Sequence, residues 1–229
     1  DSVTFIGDYL FSQCSSIEKV VLGSGITEIS DRMFTRCSSL TSVEFRGKIT
    51  RIGIRAFEGC ISIINFEIPA SVTEIDSQAF KQCEWLKKIT AHKGILNIGR
   101  DALPKNADYN EYRGGLYLGD SQNPYMYLVG IENEEAESLV LHRDTYSVAQ
   151  SIIPQMNTLK SLSIDGGKGR YLQIEGNCII RKEDKTLLCG IGTSIIPSSG
   201  IVEIAPYAFY RCDTLKSVIL PKSLKKIGN

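Results

Sequence analysis

The sequence predicts an α/β solenoid, in which 23-residue repeats stack with a parallel sheet on the concave side and short helical turns on the convex side. Three observations predict this fold. Apolar residues recur with a 23-residue period, one segment of each repeat alternates apolar and polar residues, and another has helical spacing. One strand and one turn cannot bury their apolar faces alone, so successive copies must stack into a continuous core.

The period is clearest in three residue types. Isoleucine opens five successive copies, and phenylalanine and cysteine follow it in the first four. These residues are Ile6, Ile29, Ile52, Ile75 and Ile98; Phe11, Phe34, Phe57 and Phe80; and Cys14, Cys37, Cys60 and Cys83. A further copy opens at Ile204 and carries Phe209 and Cys212. The repeat therefore reads I-G-x-x-A-F-x-x-C-x-x-L-x-x-V-x-L-P.

Each copy contains one strand pattern and one turn pattern. The segment 40–45 alternates apolar and polar residues, which predicts a half-buried strand with Val43 inward and Glu44 outward. In the segment 53–60 the apolar residues have a three-to-four spacing, which is typical of one short helical turn. We therefore expect one strand and one helical turn in every repeat.

The period weakens in the middle of the chain, where two β-hairpin insertions are predicted. Residues 116–118 and 125–128 alternate around a loop, and residues 178–181 and 186–189 flank a second one. We expect a single domain over 1–229. It would comprise regular repeats over 1–103, degenerate repeats with the hairpin insertions over 104–200, and a regular, truncated repeat over 201–229.

Composition argues against several classes of partner. The 26 Lys+Arg and 26 Asp+Glu give a formal net charge of +0, which disfavours a nucleic acid held by bulk charge. No apolar run approaches the roughly 18 residues that cross a bilayer, so we expect no membrane insertion by this segment. The sequence does not open with a signal peptide.

No catalytic, metal or cofactor site is predicted. The stretch 166–170 is rich in glycine but lacks the spacing of a phosphate loop, and no helix pattern follows it. His92 and His142 each follow a predicted strand, and without a carboxylate or cysteine beside both we expect them to be solvated. No G-x-S-x-G or H-E-x-x-H motif occurs. A protein that is not an enzyme is expected.

The seven cysteines fall into two groups. Five share one repeat position and are predicted to form a buried column of free thiols, because side chains stacked in register do not point at each other. They are Cys14, Cys37, Cys60, Cys83 and Cys212. If Ile180 faces Leu187 across the second hairpin, Cys178 lies opposite Cys189 near solvent. Those two are expected either to stay free or to bridge in an oxidising compartment.

The outward strand positions are the predicted binding surface. They are small, polar and mixed in sign, without an aromatic anchor, which indicates a weak or adaptable binder. Their charged members are Lys19, Glu44, Glu67 and Lys88. The first hairpin adds Tyr117, Tyr125 and Tyr127 as a candidate patch, unless their rings pack against neighbouring layers. Trp85 stands where other copies carry serine or threonine, and is predicted to be exposed.

The repeat consensus resembles that of the BspA-like leucine-rich repeats, a family of bacterial secreted and cell-surface proteins. The match is good over 6–103 and 204–229 and poor between them. The resemblance implies a leucine-rich-repeat solenoid that belongs to a larger secreted or surface-attached protein. It also implies a role in adhesion or host interaction, through an extracellular protein or glycan. The alternative is an architectural spacer or stalk that presents another module.

Overall fold

The computed structural model describes residues 2–228 and is built mainly of short β-strands. It divides into two compact units, Asp1–Asp108 and Tyr109–Asn229. In both units, parallel strand pairs recur 23 residues apart, as in the register of Val20 with Val43 and of Glu203 with Lys226. The turns of the solenoid are therefore the predicted 23-residue repeats. The single domain over 1–229 stays a prediction.

The first unit contains two sets of parallel strands. They are β1 (Lys19–Leu22), β2 (Glu28–Ile29), β3 (Ser42–Phe45), β4 (Arg51–Ile52), β5 (Asn65–Glu67), β6 (Glu74–Ile75), β7 (Lys88–Thr90) and β8 (Asn97–Ile98). The predicted strands form the pairs β1–β3 and β5–β7. The other four form a second sheet in the order β2-β4-β6-β8, which the sequence analysis did not predict.

The predicted helical turns are wrong for the copies that carry the isoleucine and cysteine, whereas the weakened copy after Val148 has the 3-10 helix Gln150–Thr158 at that place. Within residues 2–228 there is no α-helix, and the segment between the isoleucine and cysteine of each repeat is a series of tight turns. Two residues four apart have positive φ in each such segment. The pairs are Tyr9/Gln13, Arg32/Arg36, Arg55/Gly59, Gln78/Gln82 and Tyr207/Arg211. The chain reversals at these residues produce the same apolar spacing as a helical turn.

Backbone hydrogen bonds of these turns run between repeats. The N–H of Phe34 donates to the carbonyl of Ala56 at 2.8 Å, and the N–H of Phe57 donates to the carbonyl of Ala79 at 2.8 Å. A helix would satisfy such donors within its own segment, whereas here the next layer satisfies them. We call this set of inter-repeat bonds the turn ladder.

A stack of phenyl rings forms the centre of the first unit. Phe34, Phe57 and Phe80 are fully buried. Their ring centroids are 5.4 Å and 5.2 Å apart along the stack, with interplanar angles of 18° and 6°. Phe66 meets two of these rings edge-on, at 5.2 Å from Phe57 and 4.8 Å from Phe80. Aromatic contacts of this kind add to the stability that burial provides.

The isoleucine–glycine step of the repeat packs against the preceding layer. A Cβ atom on Gly53 would lie 2.5 Å from Asp31 Oδ1 and 2.7 Å from the Ile29 carbonyl oxygen. Gly7 has the same position in the first copy, and nothing lies within 4 Å of its Cβ position. Close approach of the backbone therefore requires glycine at position 53 but not at position 7.

Gly53→Ala should lower the free energy of unfolding by about 1–3 kcal/mol, because the added methyl overpacks a rigid backbone contact. Gly7→Ala is the matched control and should be neutral or slightly stabilising. Urea titrations followed by circular dichroism measure both variants. Equal losses for the two glycines would contradict the close-approach explanation.

The cysteine column is buried in its middle and open at its ends. Cys37, Cys60 and Cys83 are buried, and the thiol of Cys60 donates to the carbonyl oxygen of Phe34 at 3.0 Å. Cys14 is exposed and Cys212 is half-buried, so the prediction of five enclosed thiols is wrong for these two. In the buried copies the thiol donates to a carbonyl oxygen of the preceding layer, as Cys83 does to Phe57 at 3.0 Å. All seven cysteines are free thiols.

Alkylation of the native protein should label Cys14 and leave Cys37, Cys60 and Cys83 unlabelled. Burial raises the pKa of the Cys83 thiol to about 12 and also raises the pKa values of Cys37 and Cys60. The reactive thiolate is therefore scarce as well as inaccessible. After denaturation without reductant all of them should label, as mass spectrometry would show. Blocked thiols in the denatured, unreduced protein would mean that the column is bridged.

The second unit combines repeat strands with two antiparallel arrays. Its strands are β9 (Asn110–Tyr112), β10 (Gly115–Leu118), β11 (Tyr127–Ile131), β12 (Ser138–Leu141), β13 (Ser147–Val148), β14 (Ser161–Ile164), β15 (Leu172–Glu175), β16 (Cys178–Arg181), β17 (Thr186–Gly190), β18 (Glu203–Ile204) and β19 (Lys226–Ile227). Its sheets have the orders β13-β11-β10-β9, β12-β14 and β15-β16-β17-β18-β19. Two 3-10 helices, Gln150–Thr158 and Asp165–Gly167, lie between strands.

Antiparallel pairs occur where the sequence pattern suggested hairpins, but each array has a third strand. β10 pairs with β9 as well as β11, and β16 pairs with β15 as well as β17. β11 and β17 then pair in parallel with β13 and β18. Each array thus joins a parallel sheet through its last strand.

The predicted cross-strand position of Cys178 and Cys189 is wrong. Ile180 does pair with Leu187, but a register shift between Ile179 and Ile180 places Cys178 opposite Gly190. Both thiols are free and fully buried, not near solvent. A one-residue bulge changes which side chains face each other, and alternation alone does not reveal it.

Candidate binding surface

The charged outward residues of the first unit all lie on the exposed strand face. Lys19, Glu44, Glu67 and Lys88 are exposed. The parallel register places Lys19 beside Ser42 and Asn65 beside Lys88. Neighbouring strands of a sheet lie about 4.8 Å apart. The outward side chains of successive repeats therefore form columns across this face.

The two acidic residues of this face have partners within it. Glu44 pairs with Arg46 at 3.2 Å, and Glu67 pairs with His92 at 3.2 Å. Neither Lys19 nor Lys88 has a carboxylate oxygen within 4.0 Å among the described residues. Exposed ion pairs contribute little to stability. Among the described residues, the carboxylates of this face therefore contact Arg46 and His92 rather than Lys19 or Lys88.

Trp85 is exposed, as predicted, with 62% of its surface accessible. The loop that carries it is fixed by Asn106, whose Nδ2 donates to the Glu84 carbonyl at 2.7 Å. The Asn106 carbonyl in turn accepts a hydrogen bond of 3.0 Å from Lys87 Nζ. The indole therefore projects from a loop that is held in place on both sides.

Two of the three candidate tyrosines are not surface residues. Tyr117 and Tyr127 are fully buried, so the alternative that their rings pack within the fold holds for them, and they are not candidate binding residues. Burial raises the pKa of Tyr117 to about 12. The tyrosine hydroxyl accepts a hydrogen bond of 3.3 Å from the backbone N–H of His142. Tyr125 is half-buried, and its ring lies 4.3 Å from that of His142. These rings pack the second unit, because its antiparallel strands turn them inward.

The two histidines have different surroundings. His142 packs between Tyr112, at 4.8 Å, and Tyr125, and its burial lowers its pKa. The expectation of a solvated side chain is therefore wrong for His142. His92 is half-buried and contacts the carboxylate of Glu67. The sequence did not reveal that contact, because it joins residues of neighbouring layers.

A charge network that the sequence analysis missed lies on the β2-β4-β6-β8 sheet. Arg51 contacts Asp76 at 2.5 Å, Asp31 at 2.7 Å and Glu28 at 3.4 Å. Burial lowers the pKa of Arg51, but the carboxylates outweigh it and raise the pKa overall. The period itself was the available signal, since Glu28, Arg51 and Glu74 share one repeat position. This cluster joins three layers.

Within residues 2–228, no group of three or more His, Cys, Asp or Glu side chains is arranged to hold a metal ion. No helix in the same range has the length and apolar character needed to cross a membrane.

Several solved structures are similar to this chain at low sequence identity. A leucine rich cell surface protein from Faecalibacterium prausnitzii is 21% identical, with a TM-score of 0.40. The match covers 100% of this chain and 64% of the length of that protein. A leucine-rich repeat protein from Bacteroides ovatus is 20% identical, with a TM-score of 0.42 and coverage of 99% and 73%. The pneumococcal vaccine antigen PcpA is 19% identical, with a TM-score of 0.37 and coverage of 92% and 47%. No curated protein matches the chain.

The repeat itself identifies the family. The pattern described as the BspA type leucine rich repeat region matches six copies, over residues 1–109 and 188–229. These ranges make up more than half of the chain and contain the isoleucine, phenylalanine and cysteine columns. The unmatched part, 110–187, contains most of both antiparallel arrays. The chain therefore belongs to the BspA-type leucine-rich-repeat family.

Proposed function

We propose that this chain is a non-enzymatic recognition segment of a larger secreted or surface-attached bacterial protein, which binds an extracellular protein or glycan. One observation supports this most directly: the outward strand positions are exposed, and their chemistry changes from repeat to repeat. Successive copies carry Lys19, Ser42, Asn65 and Lys88 at one such position. Stacking does not require these residues, so they are free to serve recognition.

The mechanism is the display of many weak contacts on a preformed surface. Inward residues and the turn ladder hold the layers together, so little conformational entropy is lost when a partner binds. Contacts at successive layers, about 4.8 Å apart, then act together on one partner. Several copies of a ligand on one surface raise the avidity further.

The side chains most suited to catalysis have structural roles, which supports a function without chemistry. His142 packs between tyrosines, His92 pairs with Glu67, and the buried thiols have raised pKa values. A nucleophile needs a base within hydrogen-bond reach. In the described cysteine column the thiols of Cys37, Cys60 and Cys83 instead donate to carbonyl oxygens of the preceding layer.

A binding screen with the whole chain tests the proposal. Immobilised extracellular-matrix proteins and a glycan array are the probes, and Lys88→Glu is compared with Lys222→Glu, which alters an exposed lysine of the second unit. We expect at least one specific ligand whose binding weakens with rising salt and with Lys88→Glu only. If nothing in either panel binds, the proposal is contradicted and the spacer function is favoured.

A further inference from the structure

An exposed apolar cluster interrupts the polar surface of the first unit. It consists of Ile61, Ile64 and Trp85, whose surfaces are 40%, 58% and 62% accessible, and we call it the Trp85 patch. The N–H of Lys87 donates to the Ile64 carbonyl at 2.9 Å, and Ile61 lies one repeat before Glu84, so both isoleucines belong to the layer before that of Trp85. Clustered apolar side chains with a polar rim are typical of interaction sites.

The repeat does not need apolar residues at these positions. The first two copies carry Ser15 and Ser38 in place of Ile61, and Glu18 and Thr41 in place of Ile64. Their backbone bonding is the same: the N–H of Thr41 donates to the Glu18 carbonyl at 2.8 Å, as Lys87 does to Ile64. The polar copies therefore form the same local structure without the patch.

Trp85 also gives up a hydrogen bond that its counterpart makes. Ser62 occupies the same repeat position, and its hydroxyl donates to the Ser38 carbonyl of the preceding layer at 2.6 Å. An indole cannot repeat that contact inside the stack, and Trp85 has no ring contact within the described residues. The substitution exposes a large apolar surface and gives up this hydrogen bond between layers. Recognition of a partner explains it, because tryptophan is the residue most enriched at binding hot spots.

Charge on one side of the patch indicates the chemistry of the partner. Lys87 and Lys88 are both exposed and follow Trp85 in the chain toward the strand face, whereas the exposed Glu84 precedes it on the other side. Among the described residues neither forms an ion pair with a carboxylate, and Glu67 contacts His92. Two unneutralised cations beside an apolar cluster are complementary to carboxylates beside an apolar side chain.

We propose that the Trp85 patch docks a protein segment that presents an apolar side chain flanked by Asp or Glu, with the acidic residues directed to Lys87 and Lys88. This inference rests on the proposed recognition function and selects protein over glycan at this site. The aliphatic neighbours offer no hydrogen bonds to sugar hydroxyls. Asn106, the amide beside the indole, uses its Nδ2 to hold the Glu84 carbonyl.

The site is preorganised for such a partner. Asn106 fixes the loop on both sides of Trp85, and the N–H of Leu86 donates to the Cys83 carbonyl at 3.1 Å. A loop that is already ordered does not lose further entropy on binding. Docking should therefore not require rearrangement of the backbone around Trp85.

Selection from a phage-displayed library of random linear peptides, with the whole chain immobilised, tests the inference. We expect enriched peptides to combine an apolar residue with neighbouring Asp or Glu. Trp85 is the only tryptophan of the chain, so the fluorescence of one indole reports binding of each synthesised peptide directly. A blue shift on titration would place the apolar residue against Trp85.

The decisive variants restore residues that the chain itself uses at these positions. Trp85→Ser, Ile61→Ser and Ile64→Thr introduce the side chains of Ser62, Ser38 and Thr41, so they should fold, as circular dichroism and thermal melting would verify. Trp85→Ser should weaken peptide binding about tenfold or more. Lys88→Glu should also weaken it, mainly by slowing association, and this variant keeps the hydrogen bond from Lys87 to Asn106. Ile195→Ser, at an apolar residue of the second unit that is 75% accessible, is the control and should have no effect.

Each contrary outcome overturns the docking inference. It is wrong if no peptide is enriched, if enriched peptides are not acidic, or if Trp85→Ser binds them as well as the parent chain does. Glycan binding that depends on Trp85 would replace it with a sugar site. Self-association in sedimentation that Trp85→Ser abolishes would replace it with contact between copies. If the matrix or glycan screen succeeds while Trp85→Ser changes nothing, only the docking inference fails and the recognition function stands.

Discussion

Replacing Phe57 with Ala is expected to lower the free energy of unfolding by about 3–5 kcal/mol. The ring is fully buried, lies between Phe34 and Phe80 in the stack, and meets Phe66 at its edge. Its removal leaves a cavity between two layers whose backbones are fixed by the turn ladder. The neighbouring rings cannot close that cavity without breaking their own contacts. The loss of stability should therefore be at the upper end of this range.

Urea titration followed by circular dichroism measures this loss, with Glu44→Ala as the control. Glu44 is exposed, and its ion pair with Arg46 is exposed on both sides. Its replacement should therefore cost under about 0.5 kcal/mol. Similar losses in the two variants would show that the inward and outward faces of the strands are wrongly assigned.

Replacing Asp184 with Ala is expected to cost about 2–3 kcal/mol, because it removes the carboxylate that forms an ion pair with a buried guanidinium. Arg181 has only 6% of its side chain accessible and contacts both oxygens of Asp184, at 2.7–3.2 Å. Asp184 itself is 42% accessible, so the loss should be smaller than for a fully enclosed pair. Water can reach the carboxylate but not the arginine.

The contribution of Asp184 should also depend on pH. Burial alone would raise the pKa of Asp184. The hydrogen bonds from Arg181 and the positive charge of its guanidinium have the larger effect, so the pKa lies below its ordinary value. The stabilisation is therefore complete above the unfolded pKa, about 3.9, and is lost as pH falls through the folded one. Thermal melting of the parent chain and Asp184→Ala between neutral and acidic pH should converge at low pH. Asp213→Ala, which alters an exposed acid, is the control. Its melting temperature should follow that of the parent chain over the whole pH range.

The parallel strands and their register follow directly from the sequence, because identical side chains 23 residues apart can only stack in one register. The second sheet does not, since strands as short as Glu28–Ile29 are too brief for alternation to appear. The turns were misassigned because a three-to-four apolar spacing is shared by helices and by paired left-handed residues such as Arg32 and Arg36. Side-chain periodicity does not report φ.

The candidate surface was predictable where exposure depends on one repeat alone. Trp85 occupies a position that serine fills elsewhere, so its exposure followed from the period. The burial of Tyr117 and Tyr127 depends on strands β9 to β13, whose pairing spans residues without a clear period. The bulge at Ile179 likewise arises from pairing and leaves no mark on the local pattern. Long-range packing therefore limited the site prediction more than local chemistry did.

The turn ladder has a consequence for how such a chain can change in evolution. Each layer of the first unit is bonded to the next through its turn as well as through strands, with every bond spanning about one repeat. A duplicated or deleted segment of a whole repeat keeps all of these bonds in register, whereas any other length inside the stack breaks several at once. Length variation in this part of the chain should therefore occur in steps of one repeat. Insertions and deletions of other lengths should be confined to arrays such as β9–β11 and β15–β17.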